Sequence, residues 1–176
     1  MLFRSVVKHH PTLEVRVQAV EALAQLGTDG ALGVITQLAW QGDAEAIQMA
    51  AVEALGRFPD EIAVPRLVQI AQGHSRRQVR ARAVEMLGEH ATPASIAEMD
   101  EIVSGDPDQS LQRIAVEVLG RLPEEIGFPR LARIARSHPR PELRRQAIET
   151  LSRGDPEKAV PILEEILGKG AKKNGR

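Results

Sequence analysis

A 32-residue repeat runs through almost the whole chain and limits the folds that it can adopt. The triplet Ala-Val-Glu stands at Ala51–Glu53 and returns at Ala83–Glu85, and Ile replaces Val in the last copy. Its five copies begin at Ala19, Ala51, Ala83, Ala115 and Ala147. A leucine stands four positions after each alanine, at Leu23, Leu55, Leu87, Leu119 and Leu151. A period of this length predicts an array of stacked supersecondary units.

Each copy contains two amphipathic segments. In the first, apolar residues recur at i, i+4, i+5 and i+8, and in the second at i, i+3 and i+4, which is helical spacing and not strand alternation. The second segment has its own 32-residue series at Ile35, Leu67, Met99, Leu131 and Leu163. We therefore predict two helices per copy, called A and B, which bury their apolar faces by stacking on neighbouring copies.

Helix boundaries are indicated by proline and glycine. Thr92-Pro93, Asp106-Pro107 and Asp155-Pro156 are typical of an N-cap followed by the first helical residue. The glycines at positions 27, 56, 88 and 120 suit the ends of A helices. The aligned Pro65, Pro129 and Pro161 are expected in the first turn of a B helix, because an interior proline breaks a helix.

A second, 64-residue period is superimposed on the first. His10, His74 and His138 recur at this interval, as do Arg16, Arg80 and Arg144. Two repeats of stacked helices would separate the histidines by roughly 20 Å, too far for one metal ion. We expect each histidine to interact with the negative end of a B helix and its free carbonyls.

The segments VRARAVEMLG (Val79–Gly88) and DPEKAVPILEEIL (Asp155–Leu167) resemble the short bacterial HEAT repeats often called phycobilin-lyase-like. The resemblance implies an armadillo-like, right-handed α-α superhelix with A helices on its convex side and B helices on its concave side. The expected domain covers residues 1–168, with repeats at about 12–42, 43–74, 75–106, 107–138 and 139–168. Residues 1–10 form a capping helix or a partial repeat, and residues 169–176 form a disordered basic tail.

Composition excludes several function classes. The formal net charge of −1 is not typical of a bulk nucleic-acid or membrane-surface binder, and the absence of cysteine excludes thiolate chemistry and disulfides. No segment approaches the roughly 20 apolar residues of a membrane span, and no secretory signal is visible, so a cytoplasmic location is expected. The glutamates of the five repeated triplets form a row of equivalent carboxyl groups along one helical face. Acid–base catalysis instead needs two carboxyl groups in different environments. We expect no catalytic residue, metal site, cofactor or small-molecule substrate.

Residues that the repeat does not require are the candidates for recognition. Trp40 aligns with Gln72, Ser104, Arg136 and Gly168, so no aromatic residue is needed there. It is either an interface anchor or a cover for the joint with the N-terminal helix. Arg130, Arg133 and Arg136 form an arginine stripe along one B helix. The residues at the same positions of the other copies, which we call its register mates, are mixed in charge. The predicted contacts are Trp40, Gln37, Arg66, Gln69, Arg130, Arg133 and Arg136.

The favoured function is a scaffold that binds a protein or peptide on the B-helix face, with the basic C-terminal third and the acidic stretch 89–108 forming a graded charged groove. One alternative is a subunit of a bilin lyase-type complex, although a flat tetrapyrrole calls for more aromatics than this chain has. Another is nucleic-acid binding through the basic C-terminal repeats, against which the net charge and the acidic third copy argue.

Overall fold

The computed structural model describes residues 2–171 of the chain, and the side chains of residues 2–4, 8 and 169–171 lie outside that description. Within the described residues the protein consists of eleven α-helices and no strands. The helices are α1 (Leu2–His9), α2 (Leu13–Leu26), α3 (Asp29–Gln41), α4 (Glu45–Leu55), α5 (Asp60–Gly73), α6 (Arg77–His90), α7 (Pro93–Gly105), α8 (Gln109–Leu119), α9 (Glu124–Ser137), α10 (Pro141–Leu151) and α11 (Pro156–Ala171). The all-α prediction of five helical hairpins plus a leading helix is confirmed.

Helix α11 continues to Ala171, into the segment that the sequence predicted as a basic tail. The rest of that segment, residues 172–176, lies outside the described residues.

The chain forms two compact units, unit 1 (Met1–Ser95) and unit 2 (Ile96–Arg176). In unit 1 the A helices α2, α4 and α6 pack side by side in one layer, and the B helices α3 and α5 pack in a second layer. Helix α1 covers α2. The units meet in sequence within the first turn of α7.

Unit 2 repeats the two-layer arrangement. The A helices α8 and α10 pack together, and α9 packs against both of them and against the second B helix, α11. Helix α7 contacts α9 through the ion pairs of Asp100 with Arg130 and Arg133.

The core follows the 32-residue register. The repeated alanines and leucines of the A helices are all buried, as are the B-helix residues Ile35, Leu67, Met99 and Leu131. Leu163, the register mate of Leu131, is only partly buried. Burial at identical positions in successive hairpins is what a stacked repeat requires, because one hairpin cannot shelter its own apolar face.

Two predicted N-caps are confirmed and one is wrong. Thr92 Oγ1 accepts from Ser95 N at 3.2 Å before α7, and Asp155 Oδ1 accepts from Glu157 N at 3.0 Å at the start of α11. Before α8, however, the cap is Asp108, whose carboxylate accepts from the backbone amides of residues 110 and 111. Asp106 instead accepts from Asp108 N at 2.7 Å and shapes the preceding turn.

The three aligned prolines lie further into their helices than predicted. Pro65, Pro129 and Pro161 occupy the sixth position of α5, α9 and α11, in the second turn and on the solvent side. The helix accommodates them because a carbonyl that loses its amide donor there faces solvent and not the core. In α5 and α9 a following arginine also serves a neighbouring carbonyl, as described below.

Helix ends alternate with the 64-residue period. The A helices α2 and α6 have 14 residues and are followed by residues with positive φ, Gly27 (61°) and Ala91 (48°). Helices α4 and α8 have 11 residues and end at Gly56 and Gly120 in right-handed geometry. Gly88 therefore lies inside α6 and is not its end, contrary to the prediction. Helix α10 is in phase with α2 and α6 but has 11 residues and ends at Ser152 in right-handed geometry, so this alternation covers the first four A helices only.

Candidate functional site

Two register series on the B helices remain exposed in every copy. The first consists of Gln37, Gln69, Glu101, Arg133 and Glu165, and the second of Trp40, Gln72, Ser104, Arg136 and Gly168. The residue type changes from copy to copy in both. The A helices also have an exposed series that varies, at Glu14, Ala46, Gln78, Ser110 and Glu142, beside an at least partly exposed series that carries glutamate in all five copies. The B-helix series differ in containing a tryptophan and two arginines, which are residue types common at interfaces.

The arginine stripe of α9 is paired with acidic residues from the B helices on either side. The carboxylate of Asp100 in α7 forms ion pairs with Arg130 Nε at 3.2 Å and with Arg133 Nη2 at 2.7 Å. Arg136 Nη2 lies 2.5 Å from Glu165 Oε2 of α11. We call these five side chains the B-face ladder. The predicted graded groove is wrong in this respect, since acidic and basic residues alternate across the layer and neutralise one another.

Two of the predicted contact residues support the prolines that precede them. Arg66 Nη1 donates to Ile62 O at 2.7 Å, and Arg130 Nη1 donates to Ile126 O at 2.9 Å. Both arginines follow a helical proline, which crowds the carbonyls of the preceding turn. The guanidinium gives the carbonyl of Ile62 or Ile126 a hydrogen-bond donor from a side chain, in the turn that the proline distorts. The Pro-Arg dipeptide, which recurs with the 64-residue period, is the sequence signal for this role.

Trp40 packs on His74 within unit 1. The two ring centroids lie 5.5 Å apart with an angle of 43° between the ring planes. The indole also borders Gly73, where an added Cβ would meet Trp40 Cη2 at 3.6 Å. About a third of the tryptophan remains exposed (36%). The indole thus covers the end of α5 while keeping an edge at the surface.

The repeated histidines act on the following helix, which the dipole argument did not predict. In each of His10, His74 and His138, Nδ1 accepts from the backbone amide two residues later, at 3.0–3.1 Å. Those amides belong to Thr12, Arg76 and Arg140, the N-cap residues of α2, α6 and α10. His138 Nε2 also lies 3.0 Å from Val103 O and can donate to it. Through these two contacts the ring of His138 links two helix ends.

The repeated arginines satisfy carbonyls at the ends of B-type helices. Arg16 Nε donates to Val7 O and Arg80 Nε to Ala71 O, both at 2.6 Å. Arg144 donates to His138 O at 2.8 Å. In the intervening copy the buried Gln48 donates to Trp40 O at 3.3 Å. This position serves helix ends and is not available for recognition.

Shifted pKa values occur at ion pairs that join helices. A hydrogen bond from Arg16 lowers the pKa of Asp43. The backbone amide of Asp155, and then Lys158, lower the pKa of Glu124. Its own backbone amide, and then Lys158, lower the pKa of Glu125, while hydrogen bonds to Glu124 and Glu125 raise the pKa of Lys158. All four groups are paired; Asp43, Glu125 and Lys158 are exposed and Glu124 is partly buried.

No set of three or more His, Asp or Glu side chains among the described residues is placed to hold a metal ion. No helix in the described part of the chain combines the length and apolar character needed to cross a bilayer.

Comparison with known proteins identifies the repeat. A family model described as HEAT repeats matches residues 2–88, 64–125 and 96–174. No curated protein sequence matches the chain.

Two solved structures are similar to different degrees. Human deoxyhypusine hydroxylase in complex with glycerol is 24% identical with a TM-score of 0.58, over 93% of this chain and 65% of the hydroxylase. This chain therefore spans about 65% of that enzyme's length, and at this identity the match shows the fold alone. A de novo designed 16-helix transmembrane nanopore is 19% identical over 98% of this chain and 61% of its own. Its TM-score of 0.20 is too low to indicate a shared fold.

Three overlapping matches to one repeat model, together with stacked helical hairpins in both units, establish that the chain belongs to the HEAT repeat family.

Proposed function

We propose that the protein is a non-enzymatic scaffold that binds a protein or peptide partner through its B-helix layers. The observation that carries this proposal is the composition of the two exposed B-helix series. They change residue type from hairpin to hairpin and include Trp40, Arg133 and Arg136, and tryptophan and arginine are frequent interface anchors. A surface that stacking does not dictate is free to be specific for a partner.

The predicted contact residues divide into two groups under this proposal. Gln37, Trp40, Gln69, Arg133 and Arg136 are exposed and can touch a partner directly. Arg66 and Arg130 are only partly exposed and hold the proline-containing turns in place, so we assign them a positioning role. The rigid helices present the first group with little conformational freedom, which reduces the entropy cost of binding.

Human deoxyhypusine hydroxylase, whose solved structure is similar to this fold, is an enzyme, so a catalytic activity has to be considered for this chain as well. Its name describes that protein, and the 24% identity transfers only the fold. The shifted pKa values of this chain belong to ion pairs that link structural elements, so they lend no support to a catalytic acid–base pair.

The B-face ladder argues against nucleic-acid binding. A track for phosphates needs basic side chains that are free to replace counterions. Arg130 and Arg133 already share Asp100, and Arg136 is paired with Glu165. A folded protein or peptide with mixed charges matches this alternating surface better than a polyanion does.

Site-specific photo-crosslinking tests the proposal. Benzoylphenylalanine is placed singly at Gln37, Gln69 or Arg133 on B helices, and at the exposed Gln18 or Arg113 on A helices as matched controls. In cells that express the protein, the B-helix positions should capture one common partner and the A-helix positions should not. Capture of that partner from the A-helix positions alone, or from both layers equally, would contradict the proposal.

A further inference from the structure

A pocket of about 340 Å³ opens in unit 2 where helices α7 and α9 end. We call it the His138 pocket, and it is lined by Val103, Ser104, Arg133, Ile134, Ser137, His138 and Pro139. Its volume is at the lower end of the roughly 300–1,000 Å³ of small-molecule clefts. Its size therefore suits one compact group and not an extended ligand.

The same register positions in unit 1 contain a tryptophan. A shift by one 64-residue period converts the lining of the pocket into Ala39, Trp40, Gln69, Ile70, Gly73, His74 and Ser75. Ser104 corresponds to Trp40, and His138 corresponds to His74. In unit 1 the indole of Trp40 packs on the His74 ring and borders Gly73. The serine at position 104 leaves the equivalent volume of unit 2 open.

The remaining differences between the two copies do not close this volume. Ser137 replaces Gly73, but a Cβ at Gly73 would stand 3.6 Å from the indole of Trp40, an ordinary contact. The Ser137 hydroxyl donates to Arg133 O at 2.9 Å, and the Ser104 hydroxyl donates to Asp100 O at 2.6 Å. Both hydroxyls are thus bonded to their own helices.

His138 lines the pocket and is 9% exposed. Its Nδ1 accepts from Arg140 N and its Nε2 is within hydrogen-bond distance of Val103 O, so both polar edges are used. The face of the ring can pack on an aromatic plane, as His74 does on Trp40. At the rim, the Arg133 side chain is 61% exposed, and its guanidinium is held by Asp100 at 2.7 Å.

We propose that the His138 pocket binds a tryptophan side chain of the partner, in the manner in which unit 1 holds its own Trp40. This inference rests on the proposed function, since the pocket borders the B-helix face and its rim residue Arg133 belongs to that face. The internal copy specifies the occupant, because an indole fits among the corresponding residues of unit 1. Tryptophan is also a frequent anchor in interface pockets.

Titration of the full chain with N-acetyl-tryptophanamide tests the inference without the partner. In an isotope-labelled sample, the probe should cause saturable NMR shifts at the His138 ring and at the amides of Val103 and Ser137. N-acetyl-leucinamide should cause several-fold smaller shifts. Equal shifts with the two probes, or no shift at these residues with tryptophanamide, would overturn the inference.

Three variants assign the shifts to the pocket. Ser104→Trp should abolish them, because the introduced indole occupies the pocket as Trp40 does in unit 1. Ser152→Trp, at an exposed serine outside the pocket, should leave them unchanged. Trp40→Ala should create a second set of shifts at His74.

If Ser104→Trp does not fold, the inference is tested by comparing the probe-induced shifts at His138 in the wild type with those at His74 in Trp40→Ala. Probe binding at His74 alone would refute the proposed equivalence. A negative titration beside positive crosslinking from the B helices would refute only the indole pocket, whereas negative crosslinking beside a positive titration would refute only the proposed partner surface.

Discussion

At the scale of single residues, the 64-residue period is accompanied by an alternation of backbone conformation and capping in the first four hairpins. Gly27 and Ala91 both adopt a left-handed conformation after a long A helix. Their register mates Pro59 and Pro123 instead precede the next helix as N-cap residues. Alternate hairpins therefore use different residues to make the same reversal of direction.

Ala91 is the one non-glycine residue with positive φ among those described (48°). A left-handed conformation costs an L-residue roughly 1–2 kcal/mol, while glycine adopts it freely but loses more backbone entropy on folding. We expect Ala91→Gly to raise the free energy of unfolding by about 1 kcal/mol, and Gly27→Ala to lower it by a similar amount. Urea denaturation followed by circular dichroism measures both. Destabilisation by Ala91→Gly would show that the turn is not strained.

At the scale of the helices, the B-face ladder matters more for surface charge than for stability. Its ion pairs lie at the surface, and exposed pairs of this kind contribute about 0–1 kcal/mol each. Asp100 nevertheless holds two arginines of the neighbouring helix, with a side chain that is only 25% exposed. The chemical character of this face therefore depends on one acidic residue.

Asp100→Asn should leave two of the three arginines of the α9 stripe, Arg130 and Arg133, without their acidic partner. We expect the variant to elute from heparin at higher salt than the wild type, because Arg130 and Arg133 lose their counterion. Glu142→Gln removes the same charge from an exposed position of α10 and is the matched control. Equal retention of the two variants would mean that net charge, and not the unpairing of the arginines, governs the interaction.

At the scale of the whole molecule, the ion pairs with shifted pKa values make a contribution to stability that depends on pH. Glu124 and Glu125 have pKa values lowered from 4.5, so their contribution is present above pH 4.5 and is lost as the pH falls through the folded-state pKa. The pKa of Lys158 is raised from 10.5, so its contribution is present below pH 10.5 and is lost as the pH rises further. Asp43 adds a second acidic contribution in unit 1, with a pKa lowered from 3.8.

Lys158→Gln tests this dependence on pH, because Lys158 Nζ lies 2.9 Å from Glu124 Oε2 and 3.2 Å from Glu125 Oε1. The variant should unfold at a lower temperature than the wild type by a constant margin between pH 4.5 and 10.5. That margin should shrink on both sides of the range. Thermal unfolding followed by circular dichroism across pH gives the comparison, and a margin independent of pH would show that the pairs do not titrate with folding.

Much of this architecture could be predicted from the positions of apolar residues. The 32-residue register identified every hairpin and the buried series at Ala51 and Leu55, because burial between stacked helices restricts residue type strongly. Local rules were less reliable at the helix ends. Pro65 was expected in a first turn and Asp106 at a cap, but packing sets where a helix starts, and the proline is accommodated on the solvent side.

The sequence by itself determined the hairpins and their stacking order, because each amphipathic helix is recognisable from a few turns of chain. Only the tertiary structure decided which exposed residues are free. Asp100 lies 30 positions from Arg130, and Trp40 lies 34 positions from His74, yet each pair is in contact across neighbouring hairpins. Such contacts depend on the spacing and rotation between stacked helices, which the periodicity of one helix does not specify. For that reason the arginine stripe looked available in the sequence and is already paired in the fold.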